Sequence, residues 1–276
     1  MKRKKLTLNN MKIAYFDNEK KSNISLFFIH GNSLNASLFQ NQLSNPALNQ
    51  YRVVAPDLPG HGDSANSENP QRDYGINKII TILQELIQEL NLNNIVLVGH
   101  SLGGHLAIHL LPALLKTGLQ IKGLALIGTP PLTLPPALEK AFLPNPAMGL
   151  AFKSDLSGDE IQMLSNAFIN EKIPQFEQVE SAIRNADPLA RVYIGQSIAT
   201  EIKESEVGIL NKTDIPLAVF HGKDDALVNP DYIKEQKFDL WNEDIQIIEQ
   251  AGHLPFVEQP KVFNAQLYQF LDFVAE

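Results

Sequence analysis

Gly99-His100-Ser101-Leu102-Gly103 is the segment whose residue types and order speak most directly of chemistry. It lies between a short apolar run, Ile95–Gly99, and a helical pattern that follows Ser101. A sharp strand-to-helix turn needs small residues on both sides of its apex. Gly99 and Gly103 let the backbone pass closely there while Ser101 is pushed out above a sheet. The helix N-terminus then offers the backbone N–H of Leu102, and a positive dipole end, to a developing anion.

A serine hydroxyl is a poor nucleophile at neutral pH, so it needs a base, and the base needs an orienting acceptor. Of the seven histidines, His253 is the best placed. It sits in Gln250–Pro255, after the last strand pattern and before the last helix pattern, where a loop can reach Ser101. His100 and His221 end strands and are expected to pack or to bond backbone. His105 and His109 stand four apart on the helix after Ser101, a spacing able to ligate metal, but no H-E-x-x-H carboxylate accompanies them. No metal and no organic cofactor is expected. For the acid, Asp224 and Asp225 both follow a strand ending at Gly222; Asp225 is preferred because it lies further into the loop.

The elements that must position these groups follow from hydrophobic periodicity. Ile24–His30, Tyr51–Asp57, Ile95–Gly99, Ile121–Thr129, Ile215–Gly222 and Asp244–Ile248 read as strands. Several lack period-2 alternation, as expected when both faces of a parallel sheet are covered. Lys5–Leu8 and Lys12–Phe16 flank Asn9-Asn10 and predict an antiparallel hairpin at one edge. Ile76, Ile79, Ile80, Leu83, Leu86, Ile87 and Leu90 recur at three and four residues, an amphipathic helix. A last helix is predicted from about residue 260 to 274. Alternating β and α implies an α/β class, a doubly wound and mostly parallel eight-stranded sheet.

The alternation breaks between residues 130 and 207. Pro130, Pro131, Pro135, Pro136, Pro144 and Pro146 exclude a strand or an unbroken helix. Ser157 with Glu160 then forms a capping-box pattern, Phe176, Val179 and Ile183 share a face, and Asp187-Pro188 opens a third helix. We therefore expect a core domain of residues 1–129 and 208–276 with a helical lid inserted at 130–207. Phe142, Met148, Phe152, Leu164 and Phe168 are expected to bind the apolar part of a substrate.

Composition bounds the rest. The chain has 276 residues, 44% hydrophobic, with 23 Lys and Arg against 31 Asp and Glu. A net charge of −8 argues against a nucleic-acid partner, and no apolar run is long enough for a membrane partner. Absent cysteine excludes disulfides, thiolate metal sites and a Cys nucleophile. Lys2–Arg3–Lys4–Lys5 reads as a solvated tail, since no apolar stretch follows it as in a signal peptide. A cytoplasmic location is the default expectation, as a monomer or homodimer.

These motifs together resemble the α/β-hydrolase fold family over nearly the whole chain. The order Ser101, Asp225, His253 is similar to that family's nucleophile–acid–base order. His30-Gly31-Asn32-Ser33 resembles its oxyanion loop, which implies that the Asn32 N–H is the second oxyanion donor beside Leu102. Asp57–Ser64 resembles its structural D-x-x-G-x-G-x-S segment. The segments His30–Ser33, Ala55–Gly62, Ser101–His105 and Gly128–Pro131 are most similar to capped N-acyl-homoserine lactone hydrolases. That resemblance implies a lactone-positioning tyrosine in the lid, a stretch where this chain has Leu164. The implied activity is hydrolysis of an ester, lactone or thioester with an apolar acyl part. Two other readings use the same fold: hydrolysis of a C–C bond in a diketone, which would want lid cations such as Arg184 or Arg191, and a low-turnover ligand-binding receptor.

Overall fold

The computed structural model describes residues 1–275. Its strands are β1 (Lys2–Leu8), β2 (Met11–Asp17), β3 (Ser25–Ile29), β4 (Arg52–Pro56), β5 (Ile95–His100), β6 (Ile121–Ile127), β7 (Leu217–Gly222) and β8 (Gln246–Ile248). They form one eight-stranded sheet in the order β1-β2-β4-β3-β5-β6-β7-β8. The β1–β2 and β2–β4 pairings are antiparallel and all others are parallel. Strands β3, β5 and β7 are buried along their whole length, which explains their unbroken apolar sequences.

Its helices include α1 (Ile76–Glu89), α2 (Leu102–Lys116), α3 (Gly158–Phe168), α4 (Phe176–Asn185), α5 (Pro188–Glu201), α6 (Glu206–Leu210) and α7 (Pro260–Ala275). Helix α1 buries Ile76, Ile79, Ile82, Leu83, Leu86 and Ile87, the stripe its periodicity requires. Helix α2 packs against β3, β5 and β6, and α7 against β6 and β8. Gly123 on β6 makes room for α7: a Cβ there would lie 2.9 Å from Phe270 Cζ. No helix of the described residues is long and apolar enough to cross a membrane.

Between β6 and β7 the chain forms helices α3 to α6 together with a 3-10 segment, Pro146–Phe152. The Ser157–Glu160 capping box is formed, and Asp187 caps α5 by accepting the Leu189 N–H. Arg191 is 3% exposed; its guanidinium donates to the carbonyls of Lys153 (2.9 Å), Ser154 (2.6 Å) and Ile183 (3.1 Å) and so ties α5 to its neighbours. Helix α6 spans residues on both sides of the expected boundary at 207.

The basic run at the start of the chain corrects a sequence expectation. Lys2–Arg3–Lys4–Lys5 is not a solvated tail but the first half of β1, paired with Ala14–Asp17. The hairpin turns at Asn9 and Asn10, both at positive φ (48° and 65°), the conformation a tight two-residue turn demands. Lys2 and Lys4 pair with Glu19, while Arg3 pairs with Asp57 and, at 3.0 Å, with Asp63. The Arg3 guanidinium also lies 4.3 Å from the centre of the Phe16 ring. These counter-charges are remote in sequence, so the run looks solvated when read alone.

The Asp57 carboxylate is fully buried and Arg3 is its counter-charge. Arg3→Ala should lower the unfolding free energy by about 2 kcal/mol, below the ~3–5 kcal/mol of a wholly buried pair because Arg3 is partly exposed. Equilibrium denaturation of the two proteins measures this; an unchanged midpoint contradicts the role.

Candidate active site

Strand β5 delivers the chain to Ser101, which takes φ 51° and ψ −120° before α2 begins at Leu102. A non-glycine residue with positive φ is strained and persists only where its surroundings over-determine it. The two glycines supply that constraint. A Cβ on Gly99 would lie 2.5 Å from Gly103 O, and one on Gly103 would lie 2.1 Å from Ile29 O. The turn is further pinned by the Ser101 N–H to Ile127 O (2.9 Å) and the Gly104 N–H to Ser101 O (2.9 Å). Ser101 thus stands at the mouth of β5, on the wall of a cavity of about 1040 Å³.

His253 lines the same cavity. Its Nδ1 donates to Asp225 Oδ2 at 2.8 Å, and both side chains are essentially buried. The Asp225 and His253 loops meet because β7 and β8 are neighbours whose C-terminal ends approach in backbone contact. A Cβ on Gly222 would lie 1.9 Å from Gly252 O. Asp225 Oδ1 accepts the N–H groups of Leu227 (2.8 Å) and Val228 (3.2 Å). Burial pushes the Asp225 carboxyl up, but the charge and hydrogen bond of His253 outweigh it and leave the group below its ordinary value. Asp224, by contrast, is exposed.

His100 holds the His253 loop from beneath. Its Nε2 donates to the His253 carbonyl at 3.0 Å and the two rings lie 4.8 Å apart. Burial drives the His100 imidazole well below its ordinary value, so it works as a neutral packing group. His221 is also buried and neutral-leaning, 3.9 Å from Asp225 Oδ2. Both placements agree with the packing and backbone roles read from the sequence.

The loop His30–Ser33 lies directly against the serine turn; a Cβ on Gly31 would be 2.8 Å from His100 Nδ1 and 3.2 Å from Ser101 Cβ. The backbone N–H groups of Asn32 and Leu102 have no protein acceptor among the described residues. Asn32 Nδ2 donates to Ala151 O at 2.6 Å. Two histidines that the sequence left without a role clamp this loop. His30 Nε2 accepts the Leu58 N–H (2.9 Å), and His61 Nε2 accepts the Ser33 N–H (3.1 Å). An accepting nitrogen carries no proton, so both rings must be neutral. Burial pushes His30 down to about 4, and burial with the neighbouring His30 pushes His61 down to about 3.

Phe142, Met148, Phe152 and Phe168 line the cavity, whereas Leu164 does not. Leu164 is 1% exposed, one helical turn from Ile161 and Phe168 on the buried face of α3, and packs in the hydrophobic core. Among the described residues no Lys or Arg lines the cavity: Arg191 is spent on backbone carbonyls and Arg184 is exposed. Sequence reasoning missed one polar feature of the wall. His105 and His109 both line it, and the carboxylate absent from their local motif comes from Glu206, nearly a hundred residues away.

The profile of the alpha/beta hydrolase family matches residues 26–266. Lipase 3 of Moraxella sp. is 28% identical over 267 residues, covering 94% of this chain and 81% of that protein. The AB hydrolase superfamily protein YisY of Bacillus subtilis is 23% identical over 258 residues, covering 89% of this chain and 90% of that protein. Among solved structures, the N-acyl homoserine lactonase AidH complexed with N-butanoyl homoserine superposes with a TM-score of 0.91 at 28% identity. The match covers 100% of this chain and 98% of that one. A mutant of the same lactonase complexed with N-hexanoyl homoserine lactone gives the same TM-score and covers 99% of this chain and 98% of that one.

The clamped histidines make stability depend on pH in a defined window. An unfolded imidazole titrates near ~6.5, whereas folded His30 and His61 resist protonation down to about 4 and about 3. Between those limits the unfolded chain binds more protons, so stability falls as the pH drops through that range and is unaffected by these rings above it. Thermal midpoints should be level from pH 7 to 8 and several degrees lower at pH 5. A flat profile across pH 5 to 7 contradicts the neutral clamps.

Proposed function

The chain belongs to the alpha/beta hydrolase family, and on that premise we propose that it hydrolyses a carboxylic ester or lactone with an apolar acyl part, N-acyl homoserine lactones included, through an acyl-enzyme on Ser101. The observation that carries the proposal is the buried 2.8 Å hydrogen bond from His253 to Asp225 beside the cavity that Ser101 lines. Asp225 fixes the Nδ1–H tautomer of His253, which leaves Nε2 with a lone pair to take the serine proton. Ser101 Oγ attacks the carbonyl carbon, and the oxyanion is received by the N–H groups of Asn32 and Leu102. The C–O bond then breaks and the alcohol leaves with the proton from His253. In a lactone the alcohol remains tethered as the end of the opened ring. Water, deprotonated by His253, attacks the acyl-enzyme and releases the acid and Ser101.

In this reading residues 130–207 act as a cap. Phe142, Met148, Phe152 and Phe168 hold the acyl chain, and the cavity of about 1040 Å³ is large enough for a medium chain. The similarity to AidH, solved with N-hexanoyl homoserine lactone, supports the lactone class. The similarity to Lipase 3 supports esters more broadly. The C–C hydrolase reading lacks the cationic wall it would need.

Ser101→Ala should lower kcat/KM on a medium-chain p-nitrophenyl ester by about 10⁴-fold or more with the fold retained. Undiminished ester cleavage by this variant contradicts the nucleophile. Slow stoichiometric acylation without turnover in the unaltered protein would instead indicate a receptor. Asp225→Asn should cost about 10³- to 10⁴-fold, and Asp224→Asn less than about twofold, as expected of an exposed residue away from the site. Assaying acyl-homoserine lactones beside the esters, across chain lengths, tests the lactone assignment; ester turnover without ring opening narrows it to esterase.

A further inference from the structure

His105 and His109 stand four residues apart in one row along α2, which begins just after Ser101, and all three line the cavity. At ~1.5 Å per residue His105 lies roughly 6 Å beyond the serine. Behind its ring sits Glu206, 1% exposed at the first position of α6. Glu206 Oε2 lies 2.8 Å from His105 Nδ1 and also accepts the Leu132 N–H at 2.7 Å; Oε1 is 3.1 Å from His109 Nε2. Burial pushes this carboxyl up, but the adjacent imidazoles of His105, hydrogen-bonded to it, and His109 prevail and hold it at about 2. Glu206 is therefore an ionised group that only accepts hydrogen bonds.

An acceptor on one side of the ring dictates what the other side offers. His105 Nδ1 must carry the proton toward Glu206, so in the neutral ring Nε2 presents a lone pair. The hydrogen bonds of the ring among the described residues run from Nδ1 to Glu206, and the side chain keeps 14% of its surface open toward the cavity. The surrounding wall is apolar, with Leu102, Leu106 and Leu132 beside it. An acceptor backed by a buried negative charge in such a wall rewards an O–H or N–H donor. It repels a carbonyl or carboxylate oxygen.

We propose that His105, fixed in its tautomer by Glu206, is a specificity subsite for a hydroxyl group carried on the acyl chain of the substrate. The inference rests on the Ser101 acyl-transfer reading, because the subsite is defined by its place along α2 from the scissile carbonyl. It assigns a chemical class within the ester and lactone substrates: acyl chains bearing a hydrogen-bond donor a few bonds from the carbonyl. His109 shares the same carboxylate and extends the polar row one turn further.

The test uses p-nitrophenyl esters of one chain length, unsubstituted or carrying a single hydroxyl at successive carbons, assayed at pH 8. The unaltered protein should favour one hydroxylated ester by about five- to tenfold in kcat/KM, chiefly through KM. His105→Asn keeps an N–H at the position of Nδ1 to satisfy Glu206 but removes the Nε2 acceptor. In that variant the ratio of hydroxylated to unsubstituted ester should fall to within about twofold of one, with the thermal midpoint retained. His105→Gln, whose amide oxygen can reach the position of Nε2, should restore part of the ratio, and it carries the test if the Asn variant does not fold. A ratio near one for every hydroxyl position, or a full ratio in folded His105→Asn, overturns the subsite. Turnover of the unsubstituted ester, lost in Ser101→Ala, reports separately on the acyl-transfer reading.

Discussion

The structure turns on a single residue that must pass from strand to helix in the left-handed region. Ser101 can hold φ 51° only because the backbone of Gly103 meets Ile29 and that of Gly99 meets Gly103, with no side chain between them. The same close approach brings the His30–Ser33 loop against the serine and leaves two N–H groups beside it with no acceptor among the described residues. The central strands that carry this turn are apolar and buried along their whole length, which gives it a packed, rigid base.

Around the turn, the other groups are tied to one another rather than hung on independent loops. Asp225 is fixed by backbone N–H groups of its own loop, and His100 from β5 holds the carbonyl of His253. The chain between β6 and β7 is fastened at both ends: Leu132 and Glu206 exchange hydrogen bonds through backbone and side chain. Its Ala141–Leu143 stretch pairs with Leu227–Asn229, immediately after Asp225. The cavity wall and the Asp225 loop therefore share one hydrogen-bonded framework.

Much of this was legible in the sequence because it is local. The Gly-x-Ser-x-Gly turn, the unalternating strands, the Ser157–Glu160 box and the Asp187-Pro188 helix start each declare themselves within a few residues, and the structure contains them. What escaped depends on partners far along the chain. The basic run looked solvated because Glu19, Asp57 and Asp63 are remote. His105 and His109 looked unsupported because Glu206 lies on another helix. Leu164 was expected in the pocket because periodicity gives a helix an apolar face without saying whether a cavity or the core lies against it. His30 and His61 gave no signal, since a buried imidazole that accepts an N–H is recognisable only from its neighbours.

The two margins of the sheet carry a consequence for how copies of the protein behave together. One border, β1, is studded with lysine and arginine, and the other, β8, is only three residues long. Unpaired strand borders invite edge-to-edge growth into aggregates unless they are charged, short or covered. Here one is charged and the other short, so crowded molecules find no long neutral ledge on which to add a further strand.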